Sequence, residues 1–120
     1  MKKHVLIYDD EEEILFLCKA ILSKHDFVVE TFSKCENILS EIDSFHPDVI
    51  LMDLWIPEMG GEKAVEMIKQ NESTKEIPVL LFSANSDIRE ICHKVHANGY
   101  IEKPFNVNYF IETIKSQVVD

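Results

Sequence analysis

Pro47-Asp48-Val49-Ile50-Leu51-Met52-Asp53-Leu54 is the stretch that decides the fold. Four aliphatic residues in a row, Val49 to Met52, follow the turn chemistry of His46-Pro47-Asp48 and end on a carboxylate. A strand with one face in water alternates apolar and polar residues. An unbroken apolar run instead suits a central parallel strand covered on both faces. Outward from this stretch the same kind of run recurs at Val5-Leu6-Ile7-Tyr8 and Val79-Leu80-Leu81-Phe82. Phe27-Val28-Val29-Glu30-Thr31-Phe32 mixes Glu30 and Thr31 into its apolar residues, as an edge strand does, and Tyr100-Ile101 is short enough for the opposite edge.

Between these runs lie longer amphipathic stretches. Ile14, Leu17, Cys18, Ile21 and Leu22 fall at helical spacing, as do Ile38 and Ile42, and Ala64, Met67 and Ile68. Ile88, Ile91, Cys92 and Val95 follow the same rule, as do Val107, Phe110, Ile111, Ile114 and Val118. Such stripes are expected to be core faces. Gly60-Gly61 opens the third helix, and Ile77-Pro78 and Asn98-Gly99 mark the turns before strands four and five. The order is βα repeated five times. It predicts a doubly wound (βα)5 three-layer sandwich whose parallel five-stranded sheet has the common order 2-1-3-4-5. Ligands of such sheets bind beyond the carboxyl ends of the strands, where the order reverses between strands one and three.

Functional residues are therefore expected just after those strand ends. Asp9 and Asp10 follow strand one, Asp53 follows strand three, Ser83 closes strand four, and Lys103-Pro104 follows strand five. Two like charges ~4 Å apart repel by roughly 4 kcal/mol at an effective dielectric of 20. Three gathered carboxylates need a hard cation with oxygen ligands, for which Mg2+ is the natural choice. Lys103 adds a compact ammonium suited to a phosphoryl oxygen, and the Ser83 hydroxyl can donate to the same oxygens. A carboxylate can attack phosphorus to give an aspartyl phosphate. Taken singly, each piece has an ordinary explanation: an acidic first turn at 9–13, a helix cap at Ser83, a solvated lysine. The joint placement is what points to chemistry.

The remaining features narrow the class. The 120 residues suit a single domain spanning 1–120, with 46% hydrophobic residues. A formal net charge of -10 argues against direct nucleic-acid binding and against docking on anionic membranes. Cys18, Cys35 and Cys92 form no CxxC motif and read as small buried hydrophobes in a reducing cytosol. The five apolar or aromatic residues before Asp9 are too few for a signal peptide, whose core needs about 7–15. A cytoplasmic location is expected. His4, His25, His46, His93 and His96 form no metal pattern, and His93 and His96 read as surface residues of the fourth helix.

With these residues in view, the sequence resembles the receiver domains of two-component response regulators, the CheY-like members of the flavodoxin-like folds. The matching stretches are Val5 to Glu11, Pro47 to Leu54, Pro57 to Gly61, Ile77 to Ala84 and Gly99 to Phe105. The resemblance implies that Asp53 is the phosphoacceptor, that Asp10 binds Mg2+ directly, and that Asp9 holds it largely through water. The backbone carbonyl of Trp55 would be the third protein ligand. Ser83 would be the switch hydroxyl, Tyr100 the switch aromatic, and Lys103, ahead of a cis Pro104, the partner of the phosphoryl group. Trp55 and Asn85 stand where family members tune phosphoryl lifetime, and the bulky Trp55 is expected to shield the group from water. Ile56-Pro57 and Gly60-Gly61 depart mildly from the family pattern.

The implied partners are a sensor histidine kinase or histidine phosphotransfer protein, and a downstream protein met by the helix 4–strand 5–helix 5 surface. The implied state is a monomer or a weak phosphorylation-dependent dimer. The domain would catalyse only its own phosphorylation and dephosphorylation. The start at Met1, and a fifth helix running almost to Asp120, lean toward a stand-alone relay rather than an excised receiver. Three other readings stay open. An Asp-nucleophile phosphatase would want a second Asp two positions on, where Trp55 stands. A flavodoxin-like electron carrier would want a hydroxyl- and glycine-rich loop in place of Asp9-Asp10-Glu11. A phosphorylation-independent adaptor would keep only the fold.

Overall fold

The structure, a computed structural model, describes residues 2–118. Ten elements alternate: β1 (Lys3–Tyr8), α1 (Glu12–Ser23), β2 (Phe27–Phe32), α2 (Ile38–Phe45), β3 (Val49–Met52), α3 (Gly61–Gln70), β4 (Val79–Ser83), α4 (Ile88–Val95), β5 (Gly99–Glu102) and α5 (Val107–Gln117). The five strands pair in parallel in the order β2-β1-β3-β4-β5. Order and edges follow the sequence expectation. β1 begins two residues earlier than its apolar run, because Lys3 and His4 pair with Phe27 and Val28 of the edge strand.

The continuous apolar runs are explained by two cores, one on each face of the sheet. Along β1, Val5 and Ile7 enter the layer beneath α1 and α5, and Leu6 and Tyr8 enter the layer beneath α2, α3 and α4. Along β3, Val49 and Leu51 go one way and Ile50 and Met52 the other. Successive side chains of a strand point to opposite faces, so a strand covered on both sides needs apolar residues throughout.

The helix faces depart from expectation in two places. In α1 the buried residues are Leu15, Cys18 and Leu22, whereas Leu17 is 46% exposed and Phe16 is 79% exposed. Seven residues in a row, Ile14 to Ala20, are apolar except Lys19, so spacing alone does not select the buried stripe. In α5, Phe110, Ile111 and Ile114 are buried, but Val107 opens the helix and lies in solvent. The three cysteines are buried and unpaired, as expected. Burial pushes the Cys18 and Cys35 thiols up to about 12.

Local geometry places the site loops. α2 and α4 both end on a histidine, His46 and His96, in the left-handed region. α5 is capped by Asn106, whose side chain accepts from the Tyr109 N–H at 3.1 Å. Lys69 at the end of α3 donates to the carbonyls of Lys75 and Ile77 and to Asn98 Oδ1, at 3.3, 2.9 and 2.7 Å. It ties α3 to the turns that enter β4 and β5.

Candidate functional site

Three residues of the rim are each fixed by a main-chain bond that continues the sheet by one step. Asp9 N–H donates to the Phe32 carbonyl at 3.1 Å, Asp53 N–H to Tyr8 at 2.9 Å, and Lys103 N–H to Ser83 at 3.0 Å. The rim residues therefore inherit the lateral order of the strands.

Asp9, Asp10 and Asp53 each offer a carboxylate oxygen within 4.8 Å of the others. Asp9 is fully buried, Asp53 is 3% exposed and Asp10 faces solvent. Lys103 Nζ reaches into this group. It lies 2.5 Å from Asp9 Oδ2, 3.5 Å from Glu11 Oε1 and 3.9 Å from Asp53 Oδ1, with the Phe82 ring 4.7 Å beneath it. The second Asp9 oxygen accepts from the Glu11 N–H at 2.9 Å. Ser83 is buried, its hydroxyl accepting from the Asn85 N–H at 3.2 Å.

The electrostatics follow from this crowding. Burial, and then the neighbouring Asp9, push the Asp53 carboxyl up to about 7, against the opposing pull of Lys103 and of the Trp55 N–H. Burial also raises Asp9 above the usual carboxylate range. Burial pulls the Lys103 ammonium down, but its bond to Asp9 and the nearby carboxylates outweigh that, and it ends above its ordinary value. Three carboxylates, those of Asp9, Glu11 and Asp53, share one half-buried ammonium. The donors are all hard oxygens and their charge is not balanced, so the set fits a divalent cation of the Mg2+ kind.

The rim thus brings Asp9, Asp10, Asp53 and Lys103 together, and Ser83 adjoins them through its carbonyl, which accepts from the Lys103 N–H. Lys103-Pro104 is cis, as expected. Trp55 is 69% exposed and lies two residues past Asp53. Asn85 follows β4, and its side chain accepts from the Asp87 N–H at 2.8 Å. Tyr100 on β5 is half-buried and packs against the α2–α3–α4 core. Three contacts had no signal in the sequence. Phe82 lies under the ammonium. Tyr8 donates its hydroxyl to Glu41 Oε1 at 2.7 Å, joining the strand before the acid pair to α2. Gly61, read in the sequence as opening the third helix and as a mild departure from the family pattern, is packed on the main chain of Asp53 and Leu54.

Solved structures share this fold. The chemotaxis protein CheY4 of Vibrio cholerae superposes with a TM-score of 0.88 at 25% identity, over 99% of this chain and 100% of that one. The receiver domain of a Pseudomonas aeruginosa PAO1 sensor histidine kinase, with a magnesium ion coordinated in its active-site cleft, also scores 0.88, at 22% identity over 98% of each chain. Among curated proteins, the polar-differentiation response regulator DivK of Brucella ovis is 34% identical over all of this chain and 99% of its own length. Fold and rim define the class: a CheY-like, flavodoxin-like α/β signalling domain. The family described as the response regulator receiver domain matches residues 5–115, and the chain belongs to it, as a receiver domain of a two-component system.

Proposed function

We propose that the chain is a phosphoacceptor switch in which Asp53 takes a phosphoryl group from a phosphohistidine of a sensor histidine kinase or histidine phosphotransfer protein. The observation that carries this is the recessed Asp53 carboxylate, held with Asp9 and Asp10 within 4.8 Å and 3.9 Å from the Lys103 ammonium. An Asp53 oxygen forms the new O–P bond as the donor's N–P bond breaks, and the imidazole leaves with that electron pair. Lys103 balances charge on the phosphoryl oxygens, and Ser83 donates its hydroxyl to one of them. Asp9, Asp10, Asp53 and the Trp55 carbonyl would hold Mg2+. The ion supplies charge neutralisation of the transferring group. The magnesium-bearing cleft of the Pseudomonas receiver supports this reading. The domain is then a signalling switch that acts on itself.

The added charge and acceptor oxygens would draw Ser83 inward, leaving room for Tyr100 to turn further in against the core. That would change the α4–β5–α5 surface seen by a downstream protein. The unit is one receiver domain over 1–120, of which Met1 and residues 119–120 lie outside the described structure. It would work in the cytoplasm as a monomer or weak phosphorylation-dependent dimer. Among the described residues, no helix is long and apolar enough to cross a membrane. Relatives occur in both settings the sequence allows: DivK matches at full length, whereas the hybrid signal transduction histidine kinase D of Dictyostelium discoideum matches over only 7% of its length.

Intact-mass spectrometry after acetyl phosphate treatment tests the proposal, with and without Mg2+, on wild type and Asp53→Asn. A Mg2+-dependent phosphoryl adduct on wild type alone is expected. No adduct in any condition would overturn it and favour a phosphorylation-independent adaptor.

A further inference from the structure

Gly60 and Gly61 stand side by side between Asp53 and the body of α3, and the structure requires glycine at each for a different reason. Gly60 needs its freedom of torsion, with φ +83° and open space where a Cβ would point. Gly61 has no such torsional demand. A Cβ there would overlap the Asp53 carbonyl oxygen and lie 2.6 Å from Leu54 Cα and 3.0 Å from the Asp53 carbonyl carbon. All three are main-chain atoms of the segment that presents the candidate phosphoacceptor, so no side-chain rotation relieves the clash. The Gly61 N–H donates to the Leu54 carbonyl at 3.0 Å, and the Ile56 N–H faces the Asp53 carbonyl at 3.4 Å. The first turn of α3 is thus seated on the backbone of residues 53–56.

We infer that Gly61 is a positioning residue for the phosphoacceptor: its missing side chain sets how closely α3 approaches β3, and so where the Asp53 carboxylate and the Trp55 carbonyl stand relative to the acid pair on β1. This rests on the phosphoacceptor reading and adds a residue to it. Asp53 is held from the other side by its N–H bond to Tyr8. A methyl group at position 61 pushes against a segment anchored on β1, and the strain falls on the short link from Asp53 to Trp55. A shift of even one ångström in a positioned group costs about a hundredfold in rate.

The test compares Gly61→Ala with Ile68→Val, a core change seven residues further along the same helix. Both are expected to lower stability. Only Gly61→Ala should weaken Mg2+ binding at least fivefold, read as quenching of Trp55 fluorescence, and slow acetyl phosphate labelling at saturating Mg2+ at least tenfold. Its amide NMR shifts should move at Asp53, Leu54 and Trp55. Equal Mg2+ affinity and labelling in the two variants, or unmoved 53–55 amides in Gly61→Ala, would overturn the assignment. A wild type that takes no adduct would overturn the phosphoacceptor reading instead, while the amide shifts still judge the spacer role. Hydrogen exchange of the wild type serves if Gly61→Ala does not fold. The Gly61 and Asp53 amides should then show protection within about threefold of each other, because both report on one seated unit. A Gly61 amide exchanging a hundredfold faster than that of Asp53 would mean the helix start is not seated on the strand end.

Discussion

Replacing Asp53 by Asn should make the metal-free protein more stable, although it removes the residue on which the proposed chemistry depends. Asp53 faces two carboxylates within 4.8 Å and one ammonium at 3.9 Å. At an effective dielectric of 20, each carboxylate repels it by about 3.5 kcal/mol and Lys103 attracts it by about 4 kcal/mol. The balance is about 3 kcal/mol unfavourable, and solvent around the exposed Asp10 reduces it to roughly 2 kcal/mol. For a chain of this size that is a rise in Tm of roughly 8 °C.

The pH dependence fixes the sign. The folded protein holds the Asp53 proton up to about 7, whereas the unfolded chain releases it near the usual carboxylate value. The contribution of Asp53 to wild-type stability is therefore fully present below about pH 4 and is lost as pH rises through 7. Asn carries no such proton. The gap between variant and wild type should be widest above about pH 7 and should shrink steadily as pH falls toward 4. Saturating Mg2+ should close it, because the wild type alone gains by binding the ion. Urea unfolding in EDTA at pH 8 and pH 5, repeated with Mg2+, makes the measurement. An Asn variant no more stable than wild type at pH 8 in EDTA would refute the electrostatic account of the rim.

Tyr8→Phe keeps the ring and its stacking on Phe32 but leaves the half-buried Glu41 carboxylate without its donor. A loss of about 1–2 kcal/mol is expected in urea unfolding, and an unchanged midpoint would show that the bond to α2 carries no net stability. Lys69→Met removes an ammonium that serves three oxygens at the entrances to β4 and β5. It should cost about 1–2 kcal/mol and speed exchange of the Val79 amide, which shares Asn98 Oδ1 with Lys69; unchanged Val79 protection would count against the tether. Trp55→Ala should shorten the lifetime of the phosphorylated form if the exposed ring shields the phosphoryl group, and an equal hydrolysis rate would discard that role.

The sheet was readable because its two covered faces demand continuous apolar runs, and the rim was readable because it falls one or two residues beyond them. The α1 face was not. Its apolar residues wrap more than one side of the helix, and burial of Leu15 rather than Leu17 depends on where the helix sits over β1 and β2. The contacts of Tyr8 with Glu41 and of Lys69 with Asn98 join segments 33 and 29 residues apart, and no local pattern encodes them. Gly61 was visible as a helix-opening residue and a departure from the family pattern, with no sign of its contact with Asp53. Its purpose lies in the backbone it touches, which periodicity does not reveal.

Lys103 and Asp9 meet although 94 residues separate them along the chain. The three carboxylates all lie within the first 53 residues, so a ribosome delivers the acidic half of the rim well before the ammonium that tempers it. A chain shortened before Lys103 would keep all three carboxylates of the rim and lose the ammonium that tempers their repulsion.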